Sequence, residues 1–299
     1  MIYIFTHYDV LNHIVDMLSH TLLEYNIEHT ICNNQNIINY ILNVKDNDIF
    51  ILLWYFWYNE NIINNFNHIV QKIKDKIIFI NTEGYHDMNK SNDIIIKIIL
   101  KCSKLIIDYS YENINYYVNN NIKNYVILPF AYSKYYEIIY QSHQSNQLNE
   151  NISDSIDGVD ILFYGSLSER RKKILLTVQK FALKNKYTFL FTNNIFEYKK
   201  KIQIISKSKI ILSIKKVDSI ITNDLFRLGL LISNKKFFIA ESYNNIINDQ
   251  LKHFMPMFNS EEDLIEKISY FLNNEEECKQ RSENLYNYCI NNLIYNELE

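Results

Sequence analysis

The stretch Asp160-Ile161-Leu162-Phe163-Tyr164-Gly165-Ser166-Leu167-Ser168-Glu169-Arg170-Arg171-Lys172-Lys173 decides the fold. Its first residues are an apolar run of strand length that stops at Gly165. A polar turn follows, and then a helix that opens on basic residues. A second stretch, Asn223-Asp224-Leu225-Phe226-Arg227-Leu228-Gly229-Leu230-Leu231-Ile232-Ser233-Asn234-Lys235-Lys236-Phe237-Phe238-Ile239-Ala240-Glu241, completes the pattern. It reads as an amphipathic helix stopped at Ser233-Asn234, then a short apolar strand ending on a carboxylate. Charged groups gathered where strands end, next to helix starts, are how a doubly wound domain builds a site for a phosphorylated ligand.

Working outward, strand-length apolar runs alternate with helix-period segments along the whole chain. The expected strands of the first half are Ile2–Thr6, Glu28–Ile31, Asp48–Leu53, Lys76–Ile80, Lys104–Asp108 and Tyr125–Leu128. Helices fit between them at Val10–Tyr25, Ile62–Ile73, Asp93–Cys102 and Ile114–Asn120. Runs such as Ile77-Ile78-Phe79-Ile80 are continuously apolar, as parallel strands covered on both faces require. The polar tract 143–158 reads as a linker. Beyond it the alternation restarts, with strands Asp160–Tyr164, Tyr187–Thr192, Lys209–Ile214 and Lys236–Ala240 and helices Glu169–Leu183, Ile195–Ser206 and Asp224–Ile232. Ser260-Glu261-Glu262-Asp263 caps a helix near the end, and a last helix follows around Glu275–Leu293. The expectation is an α/β chain of two Rossmann-like, doubly wound lobes: 1–142, a linker 143–158, and 159–299 with terminal helices.

Composition narrows the function. The chain has 299 residues, is 47% hydrophobic and 22% charged, and carries a net charge of -3, so it reads as globular and offers no basic excess for nucleic acid. It contains 24 Tyr and 17 Phe against 4 Gly and 2 Pro, which makes each glycine informative. Cys32, Cys102, Cys278 and Cys289 form no C-x-x-C pair, so buried reduced thiols are expected rather than a zinc cluster. The amino terminus lacks the basic flank of a signal peptide, and the apolar run Ile49–Trp57 is too short to cross a bilayer as a helix. A cytoplasmic protein without a membrane span is expected.

The segments Phe163–Lys173, Ser208–Ile214 and Phe226–Glu241, with Ile80-Asn81-Thr82-Glu83 and Ile127-Leu128-Pro129-Phe130-Ala131-Tyr132 in the first half, resemble the GT-B glycosyltransferases. The likeness is to the glycosyltransferase family 1 type and the spore-maturation-like group. It implies an acceptor lobe at the amino end, a nucleotide-sugar lobe at the carboxyl end and a ligand cleft between them. It also implies hexosyl transfer from a nucleotide-sugar donor to a carbohydrate or other glycosylatable acceptor, with no metal and no further cofactor. Two features depart from the family. Relatives often carry a donor-contacting glutamate three residues after the arginine at 227, where this chain has Leu230. The strand Ile210–Ile214 runs into Lys215 and Lys216, where relatives show a histidine or small polar residues.

Glycosyl transfer needs a stabilised departing diphosphate and a placed acceptor hydroxyl. Gly165, Ser166 and Ser168 lie at a helix start whose N–H groups favour an anion, with Arg170 and Arg171 in the first turn. The alternative for that pair is a solvated Arg-Arg-Lys-Lys face on a serine-capped helix. Lys215 stands at a strand end, as a ligand contact or an ordinary charged terminus. Arg227 sits among Leu225, Phe226 and Leu228, so its stem is packed and its head needs a carboxylate or phosphate. Asp224 is its local partner or the cap of that helix. By resemblance Glu241 would hydrogen-bond the donor ribose; otherwise it caps the next helix. In the first lobe Glu83 and His86, turned by Gly84, are the candidates for acceptor contact or general base. His7 is a second one. No D-x-D follows a suitable strand, so a metal-dependent transferase has little support. Two other functions stay open: a degenerate GT-B protein that binds ligand or partner without turnover, and a sugar-nucleotide epimerase.

Overall fold

The alternating strands and helices assemble into two units. The computed structural model describes residues 1–5, 11–32, 37–53, 70–82, 84–85, 90–128, 132–137, 158–192, 198–221 and 225–292, and the chain divides into Met1–Pro129 and Phe130–Glu299. All of the sequence-based linker 143–158 except Gly158, and most of the expected helix Ile62–Ile73, fall outside the described residues.

In the first unit the order is β1 (Ile2–Phe5), α1 (Asn12–Glu24), β2 (His29–Cys32), α2 (Ile37–Leu42), β3 (Ile49–Leu52) and β4 (Ile77–Asn81). Then come α3 (Lys90–Cys102), β5 (Ser103–Asp108), α4 (Ile114–Asn119) and β6 (Tyr125–Ile127). All strand pairs are parallel, in the order β2-β1-β3-β4-β5-β6. The apolar runs explain this. Ile51 and Leu52 in β3, and Phe79 and Ile80 in β4, are neighbours that point to opposite faces and are all buried, so both faces of these strands are covered and the strands cannot alternate with polar residues.

The second unit runs β7 (Val159–Tyr164), α5 (Glu169–Asn185), β8 (Phe189–Thr192), α6 (Tyr198–Ser206), β9 (Ser208–Ser213) and α7 (Leu225–Ser233). It continues with β10 (Phe238–Glu241), α8 (Ile246–Leu251), β11 (Met257–Phe258), α9 (Glu261–Leu272) and α10 (Glu275–Asn292). Its sheet is parallel too, in the order β11-β10-β9-β7-β8. Ile161, Leu162 and Phe163 of β7, between β9 and β8, are fully buried.

Both sheets reverse direction at the same place. From the first strand of each unit the chain steps to one side for the second, then crosses to the other side for the third. The reversal lies between β1 and β3 in one unit and between β7 and β9 in the other. Loops at the carboxyl ends of such a strand pair diverge to opposite faces and leave a crevice, where ligands of open α/β sheets bind.

Helix ends follow local chemistry. Ser168, extended at φ -103 and ψ 164, caps α5 by accepting the Arg171 N–H at 3.2 Å. Ser260 caps α9, accepting the Asp263 N–H at 3.1 Å, while Asp263 accepts the Asn259 N–H at 3.0 Å. That reciprocal pair satisfies two otherwise orphaned groups. The four cysteines are buried and unbridged. Among the described residues no helix is long and apolar enough to cross a membrane.

Candidate functional site

At the switch point of the second sheet, the loops after β7 and β9 are tied together by three consecutive contacts. Ser168 Oγ donates to the Lys216 carbonyl at 2.6 Å, Arg170 Nη1 to the Lys215 carbonyl at 3.1 Å, and Arg171 Nη2 to the Ile214 carbonyl at 2.6 Å. Arg171 also donates from Nε to Ile214 at 2.9 Å and from Nη1 to the Ser166 carbonyl at 2.8 Å, and its guanidinium lies 5.4 Å from the centre of the Phe163 ring. It is buried, with 7% exposure. A charged donor set shared among backbone carbonyls is satisfied without any external anion. The adjacent arginines therefore part company: Arg171 fills the crevice as an internal tie, and Arg170 faces a cleft.

That cleft has a volume of about 460 Å³, and Arg170, Lys173, Asp218, Glu241, Ser260 and Glu261 are among its lining residues. Arg170 meets the buried Glu241 two-pronged. Nη1 reaches Oε2 at 3.0 Å, and Nη2 bonds Oε1. Arg170 Nε bonds the Asp218 carboxylate, and Glu241 Oε2 also accepts the Lys215 backbone N–H at 2.9 Å. Burial pulls against the Arg170 charge, but the bonds to Glu241 and Asp218 outweigh it and hold its pKa above the ordinary arginine value. Sequence reasoning missed Asp218. Only the three-dimensional return of the β9 loop brings it to Arg170.

Gly165 holds φ +137, a conformation natural only to glycine. It is also approached closely. A Cβ there would lie 2.7 Å from Arg227 Nη2. The Arg227 guanidinium stacks over Tyr164, 5.1 Å from the ring centre, so α7 delivers a cation onto the end of β7. Lys215 Nζ lies 4.4 Å from the centre of the Tyr243 ring. Leu230 is 3% exposed and packs in the core, so the place that carries a donor-contacting carboxylate in look-alikes is apolar interior here. Gly165, Ser166, Arg170, Lys215, Arg227 and Glu241 thus share the carboxyl edge of one sheet. Asp224 lies outside the described residues.

Glu83, His86 and His7 also lie outside the described residues. The flanks of position 83 are held by a buried cluster at the ends of β4 and β5. The Asp108 carboxylate accepts Asn81 Nδ2 at 2.9 Å, Ser110 N at 2.8 Å, Asn113 Nδ2 at 3.0 and 3.1 Å, and the Tyr117 hydroxyl. Asn113 Oδ1 in turn accepts the Tyr85 N–H at 2.9 Å. Burial pushes the Asp108 pKa up to about 6, against the lowering effect of those donors. Burial also raises Tyr117 far above the ordinary tyrosine value. The cluster fixes both ends of the segment Asn81–Tyr85.

No family model matches the chain, and no curated protein matches it. Solved structures match its shape. The Anabaena protein Alr3699/HepE, solved in complex with UDP-glucose, aligns at TM-score 0.56 and 8% identity over 98% of this chain and 95% of that one. The same protein in complex with UDP and glucose aligns at TM-score 0.54 and 8% identity, over 97% and 94%. A putative UDP-N-acetylglucosamine 2-epimerase from Listeria monocytogenes aligns at 0.52 and 8% identity, over 94% and 90%. At such identities the likeness establishes the fold, two Rossmann-like lobes of the GT-B kind.

Proposed function

We propose that this chain is a glycosyltransferase that moves a sugar from a nucleotide-sugar donor to a hydroxyl-bearing acceptor without a metal ion. One observation carries the proposal: Arg170, Lys215 and Glu241 converge at the switch point of the second sheet, where Arg227 lies against Gly165. Support also comes from the solved structures of this shape, which include one holding UDP-glucose. In the reaction the bond between the anomeric carbon and the diphosphate breaks, and its electron pair leaves with the phosphate. The new bond forms to the acceptor oxygen, whose proton passes to a base. Arg227 and Lys215 are the groups proposed to balance the diphosphate charge, together with the amino end of α5.

Glu241 is proposed for the ribose. A carboxylate offers about four acceptor positions, and Arg170 and the Lys215 N–H take three of those on Glu241. It can therefore accept one hydroxyl as it stands, and a second only if Arg170 releases an arm. Arg171 supports the site by holding its floor. Glu83 and His86 are proposed, on sequence, for the acceptor side.

The test is ligand-observed NMR of the protein with UDP-, GDP- and dTDP-sugars, followed over hours. Binding with slow release of free sugar, lost in Arg227→Ala, is the expected result. Failure of every donor to bind would overturn the proposal. Two outcomes favour the alternatives. Conversion of the donor to its epimer with no acceptor present would mark an epimerase. Binding without turnover across an acceptor screen would mark a degenerate protein, which the apolar Leu230 favours.

A further inference from the structure

Arg170 holds two carboxylates of opposite character. The Glu241 side chain is 11% exposed, meets the guanidinium two-pronged and is held from behind by the Lys215 N–H. The Asp218 side chain is 84% exposed, stands on the turn after β9 and touches only the Nε side. Displacing Glu241 would strand a buried charge, which is costly. Displacing Asp218 returns an exposed carboxylate to water, and an exposed ion pair is weak. Arg170 and Asp218 both line the 460 Å³ cleft, with Lys173 on its wall. A guanidinium edge of that kind matches two oxygens of a phosphate group.

We propose that Asp218 is an internal competitor for Arg170, its carboxylate occupying the guanidinium edge that a phosphorylated ligand takes and leaving when that ligand arrives. Asp218 thereby determines the affinity of every ligand that uses this edge and leaves other ligands untouched. The inference rests on the transferase assignment only for the identity of the ligand; the competition itself concerns any phosphate or diphosphate group. The structure fixes the direction of the effect. Removing the Asp218 charge strengthens anion binding at this edge, whereas removing Arg170 removes the edge for which Asp218 competes.

The probe is inorganic pyrophosphate, titrated by calorimetry into the full chain, Asp218→Asn and Glu262→Gln. Glu262 lines the same cleft and is hydrogen-bonded to Ser260, so its substitution makes the same change of charge without touching Arg170. Asp218→Asn is expected to tighten pyrophosphate about twofold to fivefold, the range of one exposed ion pair. Glu262→Gln is expected to change it by less than about 1.5-fold, since solvent screens the longer interaction. Equal tightening in both variants would reduce the effect to general electrostatics and overturn the proposal. So would an unchanged affinity in Asp218→Asn, or no pyrophosphate binding in any variant. Nucleotide-sugar binding with an indifferent Asp218→Asn keeps the transferase and removes the competitor. A pyrophosphate shift with no nucleotide-sugar binding does the reverse.

Discussion

Gly165→Ala tests the geometry at the end of β7 most directly. Two costs can be worked out separately. The backbone at φ +137 is one that residues with a Cβ rarely adopt, and holding one there costs about 1–3 kcal/mol. Relaxation is opposed on one side by the Gly165 N–H, bonded to the Thr192 carbonyl at 3.1 Å, and on the other by the Ser168 cap. The new methyl would also stand 2.7 Å from Arg227 Nη2. A guanidinium can retreat by a few tenths of an ångström, but doing so lifts it from Tyr164 and forfeits about 0.5–1 kcal/mol of cation–π attraction. The total is about 2–4 kcal/mol, or a drop in Tm on the order of 10 °C for a unit of this size. Urea unfolding followed by circular dichroism measures it, with the same substitution repeated in Arg227→Ala. The torsional share survives removal of the arginine, so most of the loss should persist in that background. A loss below about 0.5 kcal/mol in both backgrounds would refute the torsional argument. A loss that vanishes in Arg227→Ala would show that the clash, not the torsion, makes glycine necessary.

Two further outcomes are expected. For Asp108, burial raises the folded-state pKa from 3.8 to about 6, so its stabilising share is complete below pH 4 and is lost as pH rises through 6. Chemical denaturation should show the stability of the protein relative to Asp108→Asn falling by roughly 3 kcal/mol between pH 4 and 8; a difference that rises with pH would mean that the donors around the carboxylate outweigh its burial. Arg171→Met should cost about 2–4 kcal/mol, because the Ile214 and Ser166 carbonyls lose charged donors in a buried place. Arg170→Met should cost a similar amount in the same unfolding experiment, because it takes the cation from the buried Glu241 carboxylate; a loss below about 0.5 kcal/mol would contradict the pairing.

Most of the fold is legible in the sequence, because what specifies it is local and periodic. Continuous apolar runs mark β4, β5, β7 and β9 within a residue or two, and Ser168 and Ser260 announce α5 and α9. What escaped is what only pairing creates. Strand β11 is two residues, Met257–Phe258, too short for any period, and exists because Ala240 and Glu241 of β10 lie beside it. Helix α2 is six residues, too short for a helical period to stand out. The site divides the same way. Strand ends and helix starts locate Gly165, Arg170, Lys215 and Glu241 at one sheet edge. The separate fates of Arg170 and Arg171 were also readable, since Arg171 lies on the helical face of Ile174, Leu175, Val178 and Ala182, all buried. Asp218 was not, because a loop's return path has no periodicity.

The ties between the loops after β7 and β9 also bear on how the second unit would meet a ligand. A loop that orders only on contact charges its lost freedom against affinity. Here Ser168, Arg170 and Arg171 each hold a carbonyl of the neighbouring loop, so that freedom disappears when the chain folds. The stretches 168–171 and 214–216 are thereby held together. An incoming ligand needs to rearrange a single exposed side chain, and its association should be fast and nearly free of an ordering penalty, with a heat-capacity change set by the surface it covers and little else.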